Sequence, residues 1–90
     1  MSKAYVDPAE LRRFAADLNR FNNDLTGLLG SLHGRLRGLE SSWRDQEQKK
    51  FSDGFEQTLK VVSKFMEDSK VHVSVLNKKA AAVEDYLKVK

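Results

Sequence analysis

Ninety residues make one small domain with a marginal core of its own, and the absence of cysteine excludes disulfides and thiolate zinc as its braces. The net charge of +3 is spread through the chain, with 6 Lys/Arg and 5 Asp/Glu in residues 1–40 and 10 and 8 in residues 41–90. That is a mixed, solvated surface that argues against nucleic acid as partner, and no apolar run approaches the ~18 residues of a membrane span.

The chain opens without a hydrophobic signal region, so the general secretory route is not expected. Asp7-Pro8-Ala9-Glu10 reads as a helix start. Asp7 is placed to accept from unpaired N–H groups, Pro8 at the first helical position loses no hydrogen bond, and Glu10 completes a capping box. Leu11, Phe14, Leu18, Phe21, Leu25, Leu28 or Leu29, Leu32, Leu36 and Leu39 then recur in steps of three and four, with one stutter between Leu28 and Leu36. This is a heptad seam, and it predicts a helix over about residues 8–40, ~50 Å long.

Gly27, Gly30, Gly34 and Gly38 lie on the side away from Leu28, Leu32 and Leu36. Each costs about 1 kcal/mol of helix propensity relative to Ala. Either another backbone approaches this bare stripe, or the helix loosens toward its end with Gly38 near the cap. Arg35 and Arg37 interrupt the stretch and argue against a membrane glycine zipper.

Residues 40–45 read as a turn around Trp43, the only tryptophan, with Ser42 or Asp45 as cap of a second helix over about 46–87. Its seam is Phe51, Phe55, Leu59, Val62, Met66, Ser69, Val73, Leu76, Ala80, Val83 and Leu87. A second stripe runs beside it: Thr58, Val61, Phe65, His72, Val75, Ala82 and Tyr86. Together they form a wider apolar face than one partner helix needs. The expected fold is all-α: one antiparallel helical hairpin over residues 1–90, pairing with a second hairpin into a four-helix bundle.

Trp43 reads as a plug at the hairpin end, or as a partly exposed aromatic that receives a partner's helix end. His33 and His72 are too far apart in sequence to suggest a metal cluster and read as surface or seam-edge side chains. Carboxylates are plentiful, but none is paired in an apolar setting that would tune it for acid–base work, and no phosphate loop or nucleophile elbow is present. No enzyme, cofactor or metal is expected.

Two long helices, Trp43 at the reversal, Phe51 eight residues on and Tyr86 near the C-terminus together resemble the WXG family of early-secreted-antigen-like type VII secretion substrates. The resemblance spans nearly the whole chain, with two departures. Asp45 stands where the family has Gly, offering an N-cap oxygen in place of a flexible backbone. Lys90 stands where the family's Tyr-x-x-x-Asp/Glu export signal has its acid.

The resemblance implies a non-enzymatic homodimer, or a heterodimer with a related small helical protein, with a secretion ATPase as a further partner. It implies a substrate, effector or adaptor, cytoplasmic or exported without a cleavable signal peptide. Trp43, Asp45, Phe51 and Tyr86 would form the turn and partner site, with Trp43 of one subunit near the other's Tyr86 region. Phe14, Leu18, Phe21, Leu25, Leu32, Phe55, Leu59, Val62, Phe65, Met66, Val73 and Leu76 would form the hairpin and dimer seams. The alternative is a cytoplasmic coiled-coil adaptor or structural protein with no export role.

Overall fold

Both ends of the hairpin are set by aspartates. In the computed structural model, which describes residues 6–89, helix α1 runs Pro8–Ser42 and helix α2 runs Gln46–Val89. Asp7 is extended (φ −88°, ψ 111°), and its carboxylate accepts from the Ala9 N–H at 2.9 Å. Its carbonyl accepts from Glu10 and Leu11 at 3.0 and 3.1 Å. The carboxylate therefore caps the second helical N–H, not the third that a capping box would engage.

Asp45 caps α2: its carboxylate accepts from the Gln48 N–H at 2.8 Å and its carbonyl from Lys49 at 3.2 Å. Ser42, the other candidate, is the last residue of α1, and its hydroxyl donates back to the Leu39 carbonyl at 3.3 Å. Trp43 ends α1 in extended conformation (φ −118°, ψ 106°), its N–H donating to the Leu39 carbonyl at 2.9 Å. No described residue has a positive φ, so the reversal needs no glycine. The helix continues past Gly38, which is not its cap.

The helices run antiparallel, with Arg12 against Glu84, Thr26 against Met66, His33 against Glu56 and Glu40 against Ser52. The molecule extends 68 × 24 × 16 Å with a radius of gyration of 20.2 Å, against about 12 Å for a compact chain of this length. Two helices side by side form a slab without an enclosed core.

The structure splits the α1 heptad into two lines. Leu11, Leu18, Leu25, Leu29 and Leu36 turn toward α2, joined by Ala15, Asn22, His33, Glu40 and Trp43. Phe14, Phe21, Leu28, Leu32 and Leu39 stay exposed beside them, Phe14 by 59%. On α2 the inner line is Ser52, Phe55, Leu59, Val62, Met66, Ser69, Val73, Leu76, Ala80 and Val83, while Phe51 and Leu87 are exposed. Between Leu28 and Leu29, the inner position goes to Leu29. Counted through Ala15 and Asn22, the inner line steps four and three without a stutter as far as Leu29.

The deepest side chains in this seam are small or polar: Ala15, Ala80, Asn22 and Ser69. Small residues let the two backbones come close, at the cost of little apolar surface removed from water. Among the described residues, neither the Asn22 amide nor the Ser69 hydroxyl has a hydrogen-bond partner. Leaving such groups buried and unpaired costs about 1–3 kcal/mol. Asn22→Leu should therefore raise stability by about 1 kcal/mol or more in chemical denaturation. A lower unfolding midpoint would show that the amide is satisfied in the folded state.

At the open end, Arg12 grips Glu84 with two hydrogen bonds, Nε to Oε2 at 2.9 Å and Nη2 to Oε1 at 2.8 Å. The Arg12 hydrogen bond holds the Glu84 carboxyl below the usual carboxylate range. A lowered folded pKa means the contribution is present above the unfolded value and is lost as pH falls through the folded one. Arg12→Ala should lower the thermal midpoint at neutral pH, and the gap from the parent should close in acid as Glu84 protonates. A gap unchanged down to about pH 2 would assign the effect to packing of the arginine stem instead.

Candidate functional site: the apolar face and the aromatic tip

Helix periodicity puts the exposed line of α1 on one flank of the seam, and α2 presents its own exposed line on the same side. A groove of about 390 Å³ joins them, lined by Phe14 and Leu18 from α1 and Phe65, Ser69, His72, Val75 and Leu76 from α2. Phe21, Leu28, Leu32 and Leu39 continue the face along α1. Phe51, Thr58, Val61 and Phe65 continue it along α2. Phe65 is 51% exposed and Val61 69%. Scattered surface hydrophobics are ordinary, but a continuous apolar strip marks an interaction surface.

The opposite side has a different chemistry. A groove of about 580 Å³ there is lined by Gly30, His33, Glu56, Lys60, Lys64 and Glu67 among others. His33 Nε2 lies 3.1 Å from Glu56 Oε2. A side-chain carbon added at Gly27, Gly30, Gly34 or Gly38 would meet nothing within 4 Å. Among the described residues, none comes within that distance of this bare stripe.

The reversal carries an aromatic ladder. Trp43 and Phe51 have ring centroids 6.0 Å apart at 37°, and Phe51 stacks on Phe55 at 5.7 Å and 14°. Trp43 is half-buried and Phe51 47% exposed, so the ladder closes the hairpin end and also shows a ring edge to solvent. Beside it, Gln48 donates to Ser52, and Ser52 donates to Glu40, each at 2.6 Å. These contacts tie the first turn of α2 to the last turns of α1.

Of the residues singled out by sequence, Trp43, Asp45 and Phe51 gather at the reversal, while Tyr86 lies exposed near the far end of α2. The separation along the helix is roughly 60 Å at 1.5 Å per residue. Trp43 and Tyr86 of one chain therefore cannot share a site. Lys90, and residues 1–5 with them, lie outside the described residues. Leu18, Leu25, Phe55, Leu59, Val62, Met66, Val73 and Leu76 sit half-buried between the helices; Phe14, Phe21, Leu32 and Phe65 are on the open face. The contribution of Ser52, Asn22, Glu40 and Ala15 to the inner seam escaped the sequence reading. Its only trace was their four-and-three spacing.

Among the described residues, no helix is long and apolar enough to cross a membrane. Among solved structures, the chain is similar to the secreted protein ESXB from Bacillus anthracis str. Sterne, with a TM-score of 0.82 and 21% identity over 96% of this chain and 98% of that one. No curated protein matches the sequence. Residues 4–86 match WXG100, proteins of 100 residues with WXG. The chain thus belongs to the WXG100 family, with Asp45 at the third position of the motif.

Proposed function

We propose that this protein is a dimerising interaction module of a type VII-like secretion system, acting as a substrate, effector or adaptor through its surface. The observation that carries this reading is the continuous apolar strip from Phe14 to Leu39 and from Phe51 to Val75, uncovered in the single chain. The broad side of the slab, 68 × 24 Å, exceeds the ~800 Å² per partner that a standard interface buries. A second hairpin laid on it completes a four-helix bundle and encloses the core that one hairpin lacks. The WXG100 match and the fold shared with a secreted protein support the secretion context.

Within that assembly the Trp43–Phe51 edge is the docking point for a helix end of another subunit. The Tyr86 region is the segment that reaches it when the two hairpins point in opposite directions. A secretion ATPase is a further partner for the assembled tips.

The assembly is tested by sedimentation equilibrium of the purified chain, alone and mixed with small helical proteins encoded beside it. A two-hairpin species is expected in one of these samples, and Phe14→Glu with Phe65→Glu should abolish it. A wholly monomeric, fully helical protein in every mixture would refute it. Export is tested by a tagged copy in cells with the secretion machinery: tag in the medium supports the reading, and retention favours the cytoplasmic adaptor.

Trp43→Ala separates the two roles of the tip. A half-buried indole packed at a tilt against one ring should contribute about 1–2 kcal/mol to stability. A docking role adds weakened partner binding under conditions where the variant remains folded. Stability loss with unchanged binding would confine Trp43 to closing the hairpin.

A further inference from the structure

We infer that the hairpin is hinged: the two arms at its open end, residues 8–21 of α1 and 70–89 of α2, part as one unit while the aromatic tip stays closed, and the boundary is the buried layer of Asn22 and Ser69. Thr26 Oγ1 lies 3.4 Å from Met66 Sδ, so one turn further from the reversal Asn22 and Ser69 stand nearly level between the helices. They are 1% and 2% exposed, and among the described residues neither side chain has a hydrogen-bond partner. Parting the helices there hydrates both groups, so at this layer opening relieves a cost instead of adding one.

The seam is built differently on the two sides of this layer. Toward the reversal, Leu29, Leu36, Phe55, Leu59 and Met66 fill the contact. Ser52 donates to Glu40 at 2.6 Å, His33 Nε2 lies 3.1 Å from Glu56 Oε2, and Trp43, Phe51 and Phe55 pack ring against ring. Toward the open end the most buried side chains are Ala15 and Ala80, 2% and 0% exposed, with Leu11, Leu18, Leu76 and Val83 half-buried around them. An alanine methyl removes far less hydrocarbon from water than a leucine or phenylalanine side chain. Arg12 and Glu84 fasten this end, but their side chains are 45% and 39% exposed, and an ion pair so wet adds little.

Parted arms lose the tertiary contact that holds most helices together in water, so their amides lose protection together. A cover on the apolar face does not remove the asymmetry. The exposed line of large side chains gives the arms Phe14 and Phe21 and the tip half Leu28, Leu32, Leu39 and Phe51. Such a cover adds to both halves, and at least as much to the tip. The hinge therefore belongs to the hairpin itself, alone or paired.

Native-state amide hydrogen exchange of the full chain, at a concentration where helicity is complete, tests the hinge. Helical amides of the two arms should report one common opening, more frequent than the opening that exposes residues 25–42 and 46–66. Substitutions separate the two, because a contact that survives in the arms-open state has no effect on the cost of reaching it. Trp43→Ala should lower protection near the reversal and leave the arms unchanged. Arg12→Ala removes an ion pair that is lost in both openings, and should lower protection of both halves by the same factor. Asn22→Leu should slow exchange of the arms by about tenfold, since opening then uncovers a leucine instead of hydrating an amide.

Equal protection along both helices, lowered everywhere alike by Trp43→Ala, would overturn the hinge in favour of one cooperative unit. Protection that declines smoothly toward the open end, with no step at Asn22 and Ser69, would overturn it in favour of end fraying. Arm exchange that is unchanged or faster in Asn22→Leu would overturn the role of the polar layer. Circular dichroism of each variant at the same concentration confirms that its helices are intact, and Phe55→Leu reads the same tip contacts if Trp43→Ala does not fold.

Discussion

Two helices lying side by side have only one line of contact, and that constraint governs this molecule. Each helix can bury a narrow stripe against the other, whatever its composition. Here Leu36 is the one large apolar side chain among its buried points, and the others are Ala15, Asn22, Ser52, Ser69 and Ala80. These residues permit a close approach but remove little hydrocarbon from water. The large side chains Phe14, Phe21, Leu28, Phe51 and Phe65 are on the outside. The sequence has thus placed its strongest hydrophobic driving force on a face the single chain cannot cover.

The same constraint explains why the ends are so carefully fastened. With no enclosed core, local devices must define the hairpin. Asp7 and Asp45 satisfy helix N-termini, Trp43 packs at a tilt against Phe51 at the reversal, and Arg12 holds Glu84 at the open end. Asp45 does by capping what a glycine does elsewhere by backbone freedom, and no positive φ is present among the described residues. The unpaired Asn22 and Ser69 lie nearly level in the middle of the seam, and their burial makes this layer a weak point in the intrachain contact.

Much of this was legible in the sequence. Asp7-Pro8 marked the first helix start, the break before Asp45 marked the reversal, and the surplus apolar stripe on α2 pointed to a second hairpin. The inner face of α1 was masked by the large hydrophobics beside it. Phe14, Phe21 and Leu28 carry a heptad of their own, adjacent to Leu11, Leu18 and Leu25, and the two lines read as one seam with a stutter. Only the structure shows which line meets α2, since Ala15, Asn22 and Glu40 have no hydrophobic signature. The groove at Phe65 and Ser69 was likewise hidden, because it is built from two segments about fifty residues apart. The aromatic tip was visible as residue types, but the packing of Trp43 against Phe51 depends on the geometry of the reversal.

On the proposed reading, stability of this fold belongs to the pair and not to the chain. The most direct measurement is chemical denaturation followed by helicity at protein concentrations spanning about a hundredfold. If folding is linked to association, the midpoint rises steadily with concentration, and helix is lost on dilution in the absence of denaturant. A sharp unfolding transition whose midpoint is independent of concentration, with full helicity at the lowest concentration, would contradict the account.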